Sequence, residues 1–326
     1  MPLFEGEGKR AMRMNIQQLL LGVFYTLVFP GFVFAAIVGL YLTWVDRKVA
    51  AVVQSRVGPP WFQPYADIGK LFNKRMLVPR GSSAIGFVAA PVLAVAGATL
   101  VAVIVLRALI DPAVGFVGDL IVLLYLSTLP GIALIIGGAS SRSPFGAIGA
   151  GREMNMILAY EVGFLLAIIT VLVKVKSIMF GDIIAYQAAH GPIVLSLSGA
   201  IALVVILFCT QAKLGFLPFD IGEAESEIIG GPLAEYSGVG LALFKLTTAM
   251  MFFVLPVLVV ILFTGGVELS LVSIVGFLLK LLAIYVVLIV VKITHARLKL
   301  DQALRLFWGA ITIAGLLAVA FALMGW

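Results

Sequence analysis

Charge is what this 326-residue chain has least of: Asp, Glu, Lys and Arg together make up 12% of it. Soluble domains carry roughly 25%. Residues of the set AVILMFWYC account for 62%, and the mean hydropathy is +1.18. A water-facing surface cannot be built from that supply, which excludes the two soluble domains that the length alone would suggest. Cysteine is also scarce. Cys209 stands alone, so the chain has no intrachain disulfide and no iron–sulfur cluster of its own, since a cluster needs about four thiolates. The two histidines, His190 and His295, lie in no zinc or haem pattern, and no metal site is expected. Asparagine occurs three times, a faint mark of heat adaptation. Any redox chemistry therefore belongs to partner chains. The net charge of +6 marks cytoplasmic loops in a membrane protein, and no nucleic-acid partner is expected.

What is present is a series of long apolar runs. A membrane-crossing helix needs about 20 mostly apolar residues, and eight stretches qualify: 19–45, 82–106, 120–139, 154–173, 191–212, 238–263, 269–291 and 306–326. The runs are continuous rather than alternating, which excludes a β-barrel. The first ends in WVDRK rather than in a small-residue cleavage site, so it reads as a retained helix and not a signal peptide. No internal repeat is visible, and an inverted-repeat transporter has no support. The expected fold is a single all-α polytopic membrane domain.

Lys and Arg are divided unequally between alternate loops. Those after spans one, three, five and seven hold fourteen, among them Arg47, Lys48, Arg56, Arg142, Arg152, Lys213 and Arg297. The other side holds six: Lys9, Arg10, Arg13, Arg107, Lys174 and Lys176. The positive-inside rule then makes the first set cytoplasmic and leaves both termini outside. All long, motif-rich loops fall on the cytoplasmic side, as expected of a face that carries a partner.

Two of those loops have chemistry in them. In 46–81, YADIGKLFNKRML puts Tyr65, Ile68, Leu71 and Phe72 on one helical face and most of its charges on the other, the pattern of an interfacial amphipathic helix. Ahead of it, Pro59, Pro60 and Pro64 oppose a regular helix. The stretch 213–237 is the anomaly, with Asp220, Glu223, Glu225, Glu227 and Glu235 against Lys213. The residues between its acids are apolar, whereas a solvated acidic loop favours polar spacers. This loop should pack, with its carboxylates in a partly buried cavity. Like carboxylates in such a place have raised, coupled pKa values, which suits a proton relay; the alternative is that they pair with Arg56 and Arg297. If GEAESEII is helical, Glu223 and Glu227 share a face and Glu225 points away.

Three charges interrupt spans: Glu161, Lys245 and Lys280. Each costs about 2.5–3.5 kcal/mol at mid-membrane, so each should face the bundle interior or water. By depth, Glu161 is expected to pair with Lys245, with Lys280 deeper. Whether such a pair is relay or structural glue stays open here.

Taken together, DRKVAAVVQSRVGP (46–59), LPFDIGEAESEIIGGPLAEYSG (217–238) and HARLKLDQALRLFW (295–308) resemble, in order and spacing, the respiratory complex I subunit that anchors the peripheral arm. Asp46 stands where that family usually has Glu. The third loop, GGASSRSPFGAIGAGREMNMILAYE (137–161), is more similar to the homologous subunit of energy-converting, group 4 membrane-bound hydrogenases and sulfane-sulfur reductases. The resemblance implies a membrane anchor in a ferredoxin-dependent, ion-pumping redox complex. Peripheral hydrogenase-like large and small subunits would hold the iron–sulfur clusters and a nickel–iron or related site, and antiporter-like subunits would share the membrane. It implies a coupling role for the acidic loop (Asp220, Glu223, Glu225, Glu227 and Glu235) and for Glu161; Glu153 is expected to join the relay, and Lys245 and Lys280 its charged axis. Three alternatives stay open: a quinone-chamber subunit of a true complex I, a stand-alone ion transporter and an inert structural anchor.

Overall fold

The computed structural model describes residues 16, 18–112, 115–267 and 270–326, and is helical with no strand among them. Lys9, Arg10 and Arg13, which weigh in the charge division, lie outside the described residues, as does position 269, the expected start of the seventh span.

The first span, Gln18–Val53, consists of α1 (18–27) and α2 (Phe32–Val53), separated by an irregular stretch around Pro30. A short α3 (Gln63–Phe72) follows, then α4 (Ala84–Ile110), α5 (Asp119–Ser140) and α6 (Pro144–Val175). Next come α7 (Phe180–His190), α8 (Leu197–Lys213) and a single turn, α9 (Glu225–Ile228). The chain closes with α10 (Gly238–Thr264), α11 (Leu271–Thr294) and α12 (Leu300–Leu323), the last interrupted by a π-helical turn at Leu306–Ile311.

Among the described residues, seven helical stretches are long and apolar enough to cross a membrane, and α8 is an eighth apolar helix of 17 residues. The chain is a multi-pass membrane protein. The central element is α10. Its residues 249–263 are buried without a break, as befits a helix that is apolar all round. Gly39 lets α2 approach it, since a Cβ there would stand 2.3 Å from the Ala249 carbonyl oxygen. Gly97 does the same between α4 and α5, where a Cβ would fall 2.8 Å from Leu129; small residues bring membrane helices close.

Several expected boundaries shift. The fourth span begins ten residues earlier, at Pro144, because Ser143–Pro144 starts the helix and Pro is accepted at a first helical position. Pro64 is accepted in the first turn of α3 for the same reason. The connection between α6 and α8, expected to be short, is longer. It contains α7, whose Gln187 side chain donates to the Ile261 carbonyl at 2.8 Å, near the end of α10.

The short α8 shapes the site. At 1.5 Å per residue it reaches only about 25 Å, and the chain after Lys213 then runs inside the bundle. Irregular backbone at that depth must be satisfied by protein. Gln211 Nε2 donates to the Leu217 carbonyl at 2.7 Å and lies 3.3 Å from that of Leu288, while the Leu298 amide donates to the Pro218 carbonyl at 3.0 Å.

Candidate functional site

The acidic loop is held against α6 and α4 by contacts its glycines and aromatics make possible. Gly149 faces it so closely that a Cβ would lie 2.5 Å from Pro232 and 2.7 Å from Gly231 Cα. Gly231 has φ +51°, and a Cβ there would lie 2.1 Å from the Gly222 oxygen, so only glycine fits. Tyr236 stacks on Phe87 with centroids 4.1 Å apart and donates its hydroxyl proton to the Phe87 carbonyl at 2.8 Å. Phe219, Ile221 and Ile228 are buried. The loop packs, as its apolar spacers predict.

Its five carboxylates separate into two groups. Glu225, Glu227 and Glu235 are exposed; only 225–228 is helical, so Glu223 shares no helix face with Glu227. Glu227 instead pairs with Arg152 at 2.5 Å, and that guanidinium holds its carboxyl below the usual range. Asp220 and Glu223 turn inward. With Glu153 of α6 and Lys213 they line a cavity of about 70 Å³ whose wall includes Gly131 of α5 and Thr248 of α10.

A second cavity, of about 300 Å³, lies between α2, α3 and α10. Its polar wall holds Asp46, Arg47, Asp67, Lys245 and Lys292, and its apolar wall includes Leu40, Ile68, Phe216 and Phe252. Glu223 and Thr248 line both cavities, so a carboxyl stands at the junction. Burial pushes the Glu223 carboxyl up to about 8; the charges of Glu153 and Asp220 add to this, and Lys245 opposes it. Asp220 is also raised by burial, against the pull of Arg297, whose Nη2 donates to Oδ2 at 2.7 Å.

The charges within spans settle differently from their expected depths. The cation beside Glu161 is Lys213, at 3.0 Å, not Lys245. The reason is that α6 begins at Pro144, which puts Glu161 near its middle, while α8 is short, beginning only at Leu197 and ending at Lys213 beside it; Lys245 is exposed and lines the second cavity. Lys280 is exposed on α11 and does not face the interior. It donates to the Thr264 carbonyl at 2.8 Å, reaching the C-terminal end of α10, where a cation is favourable.

Two further residues escaped the sequence reading. Asp46 is 5% exposed at its side chain and accepts from Lys292 at 2.6 Å, with Lys292 lying 4.1 Å above the Phe216 ring centroid. Both sit at the ends of their spans, where a charge looks unremarkable in sequence. Of the residues expected to meet a partner, Arg56 and Arg142 are exposed, Lys48 is half-buried, Arg47 pairs with Asp67 at 3.2 Å, and Arg152 and Arg297 are taken up by the acidic loop. The amphipathic helix is α3, with Pro64 and Ile68 buried and Lys70 exposed; Lys74 and Arg75 lie beyond its end.

This arrangement has counterparts. The family model described as NADH dehydrogenase matches residues 26–323. The H-type NADH-quinone oxidoreductase subunit of Desulfotalea psychrophila is 30% identical over 293 residues, covering 84% of this chain and 88% of that protein. A counterpart from Syntrophobacter fumaroxidans, its second H-type subunit, is 34% identical over 290 residues, covering 83% and 86%. Among solved structures, a chain of the membrane-bound sulfane sulfur reductase, an archaeal respiratory membrane complex, superposes with a TM-score of 0.80 at 29% identity, covering 92% of this chain and 99% of that one. A match that runs through the acidic loop and nearly every span makes this chain a member of the NADH dehydrogenase family, homologous to the H-type subunits and to the sulfane sulfur reductase chain.

Proposed function

We propose that this chain is the membrane anchor and coupling subunit of a ferredoxin-dependent, complex I-related redox complex of the hydrogenase-like branch. It lies in the cytoplasmic membrane with its long loops in the cytoplasm and both termini outside, α8 completing eight crossings. Peripheral large and small subunits dock on Arg56, Arg142 and the exposed acids Glu225 and Glu235, and carry the iron–sulfur clusters and a nickel–iron or related centre. Antiporter-like subunits continue the assembly within the bilayer. The observation that carries the reading is the place of Glu223: a carboxyl raised to about 8, shared by two cavities, with Glu153 and Asp220 beside it. A group that titrates near neutrality at a junction can take a proton from one side and pass it to the other. From there the path leads past Lys213 to Glu161. The sulfane sulfur reductase likeness and the S-R-x-P-F-G stretch (141–146) support the branch.

The test is ion uptake per electron transferred by the complete complex in sealed vesicles. Glu161→Gln should keep assembly and electron transfer while lowering that ratio. Full coupling with reduced yield would leave a structural ion pair and reject the relay.

A second reading, a quinone-chamber subunit, is favoured by the apolar wall and the size of the second cavity and by the names of the NADH-quinone oxidoreductase relatives. Quinone retained by the purified complex would select it. Ion transport by this chain alone in liposomes would instead point to a stand-alone transporter.

A further inference from the structure

We propose that the outward face of α11 is a docking surface for a membrane-spanning helix of another subunit, which presents a carboxylate to Lys280. The inference rests on the reading of this chain as one member of a multi-subunit membrane assembly, and not on the relay.

The two faces of α11 differ. Phe277, Leu281, Ile284, Tyr285 and Leu288 are buried, the spacing of one helical stripe. Tyr285 donates its hydroxyl proton to the Phe252 carbonyl of α10 at 3.2 Å, and the helix packs mainly on α10 and α2. The opposite face, with Leu279, Leu282, Val286 and Val290, is exposed. Lys280 stands on that exposed face. It comes nine residues after Leu271 and fourteen before Thr294, so it lies about 14 Å from one helix end and about 21 Å from the other.

An ammonium at that depth is costly to leave against acyl chains. Lysine has three N–H donors. One goes to the Thr264 carbonyl at 2.8 Å, and among the described residues no carboxylate pairs with Lys280. The bundle thus supplies a hydrogen bond and no counter-charge. A phospholipid phosphate stays at the bilayer surface, farther off than a lysine stem extends, whereas a carboxylate on a neighbouring helix can stand at the depth of the ammonium. Charge complementarity therefore selects a helix. The residues beside Lys280 leave room for one. Gly276 lies one turn before it, and Ala283, exposed, one turn after. A Cβ on Gly276 would meet nothing within 4 Å, so packing within this chain does not demand glycine there, while small residues let a second helix approach closely.

The experiment has two arms, both on the complete complex. In native membranes, a membrane-soluble carbodiimide activates a carboxyl group, and the neighbouring amine displaces the urea to form an amide bond. Mass spectrometry should find Lys280 joined to a carboxylate residue in a span of another subunit. Lys280→Arg, which keeps the charge without the reactive amine, should assemble and lack the link. In the second arm, Lys280→Met and Gly276→Leu should leave the amount of this chain in the membrane unchanged. Each should lower the share of that subunit co-purifying in mild detergent about tenfold or more, the scale of a broken buried charge pair. A photo-reactive side chain in place of Leu279 should capture the same subunit. Capture of phospholipid alone or of a second copy of this chain, no link from Lys280 to another subunit, or full co-purification in both variants would overturn the proposal. So would a Lys280→Met chain that is depleted from the membrane at an unchanged subunit ratio, since Lys280 would then only cap α10. If the parent chain purifies with no other membrane subunit, the assembly reading itself fails; if the parent assembles and the variants do so equally, only the docking face is wrong.

Discussion

Arg297 Nη2 donates to Asp220 Oδ2 at 2.7 Å, and Arg297 Nη1 donates to Ser226 Oγ at 3.1 Å. One guanidinium thus fastens both arms of the acidic loop to the connection between α11 and α12. Arg297→Gln should loosen the loop. Both partners of the Asp220 pair are about a quarter exposed (22% and 24%), so the loss should be modest, about 1 kcal/mol, read as a lower melting temperature in detergent. The Asp220 carboxyl should move further upward, because burial already raises it and the guanidinium opposes that shift. An unchanged melting temperature would contradict the fastening role.

Glu223 supplies the pH dependence. Its carboxyl rises from 4.5 to about 8 on folding, so between those values the folded chain binds more protons than the unfolded one. Stability from this group is therefore highest below pH 4.5, falls as pH rises and levels off above about 8. Relative to the parent chain, Glu223→Gln should gain stability with rising pH through that window. An infrared band of a protonated carboxyl should persist at neutral pH, disappear through about pH 8 and be missing from the variant.

Gly149→Ala tests the seating of the loop. The added methyl would meet Pro232, Gly231 Cα and the Gly222 oxygen at 2.5, 2.7 and 2.9 Å, contacts that largely involve backbone and cannot give way cheaply. Overpacking of this kind costs about 1–3 kcal/mol. Gly151→Ala, with nothing within 4 Å of its Cβ, should be silent. Equal yields of the two variants would show that the loop does not depend on this contact.

Orientation can be read by cysteine labelling, since the native Cys209 is buried. Val57, 97% exposed between α2 and α3, and Leu195, 81% exposed before α8, stand at opposite ends of the bundle. Val57→Cys should react from the cytoplasmic side of sealed vesicles and Leu195→Cys from the other side. The reverse result would invert the topology and move the acidic loop outside.

The helices were legible because lipid demands long apolar runs, and the amphipathic α3 because its period was carried by Tyr65, Ile68, Leu71 and Phe72. That the acidic loop packs was legible from Phe219, Ile221 and Ile228 between its acids. The pairing of Glu161 was not. Depth counted from span ends assumed helices of similar length, but α6 starts ten residues before the expected position and α8 is short, bringing Lys213 to Glu161 and leaving Lys245 at the second cavity. The division of the five acids was equally hidden. It depends on a left-handed turn at Ile229–Gly231 and on which arginines lie across the fold, and neither follows from local pattern.

The central claim is that the carboxyl at the junction of the two cavities couples electron transfer to ion movement. The direct measurement is ion uptake per electron in vesicles holding the complete complex with Glu223→Gln, which keeps the side-chain volume and its hydrogen-bonding capacity but cannot titrate near neutrality. The account predicts intact assembly, retained electron transfer and an uptake ratio lowered about tenfold or more. An uptake ratio equal to that of the parent complex would contradict it.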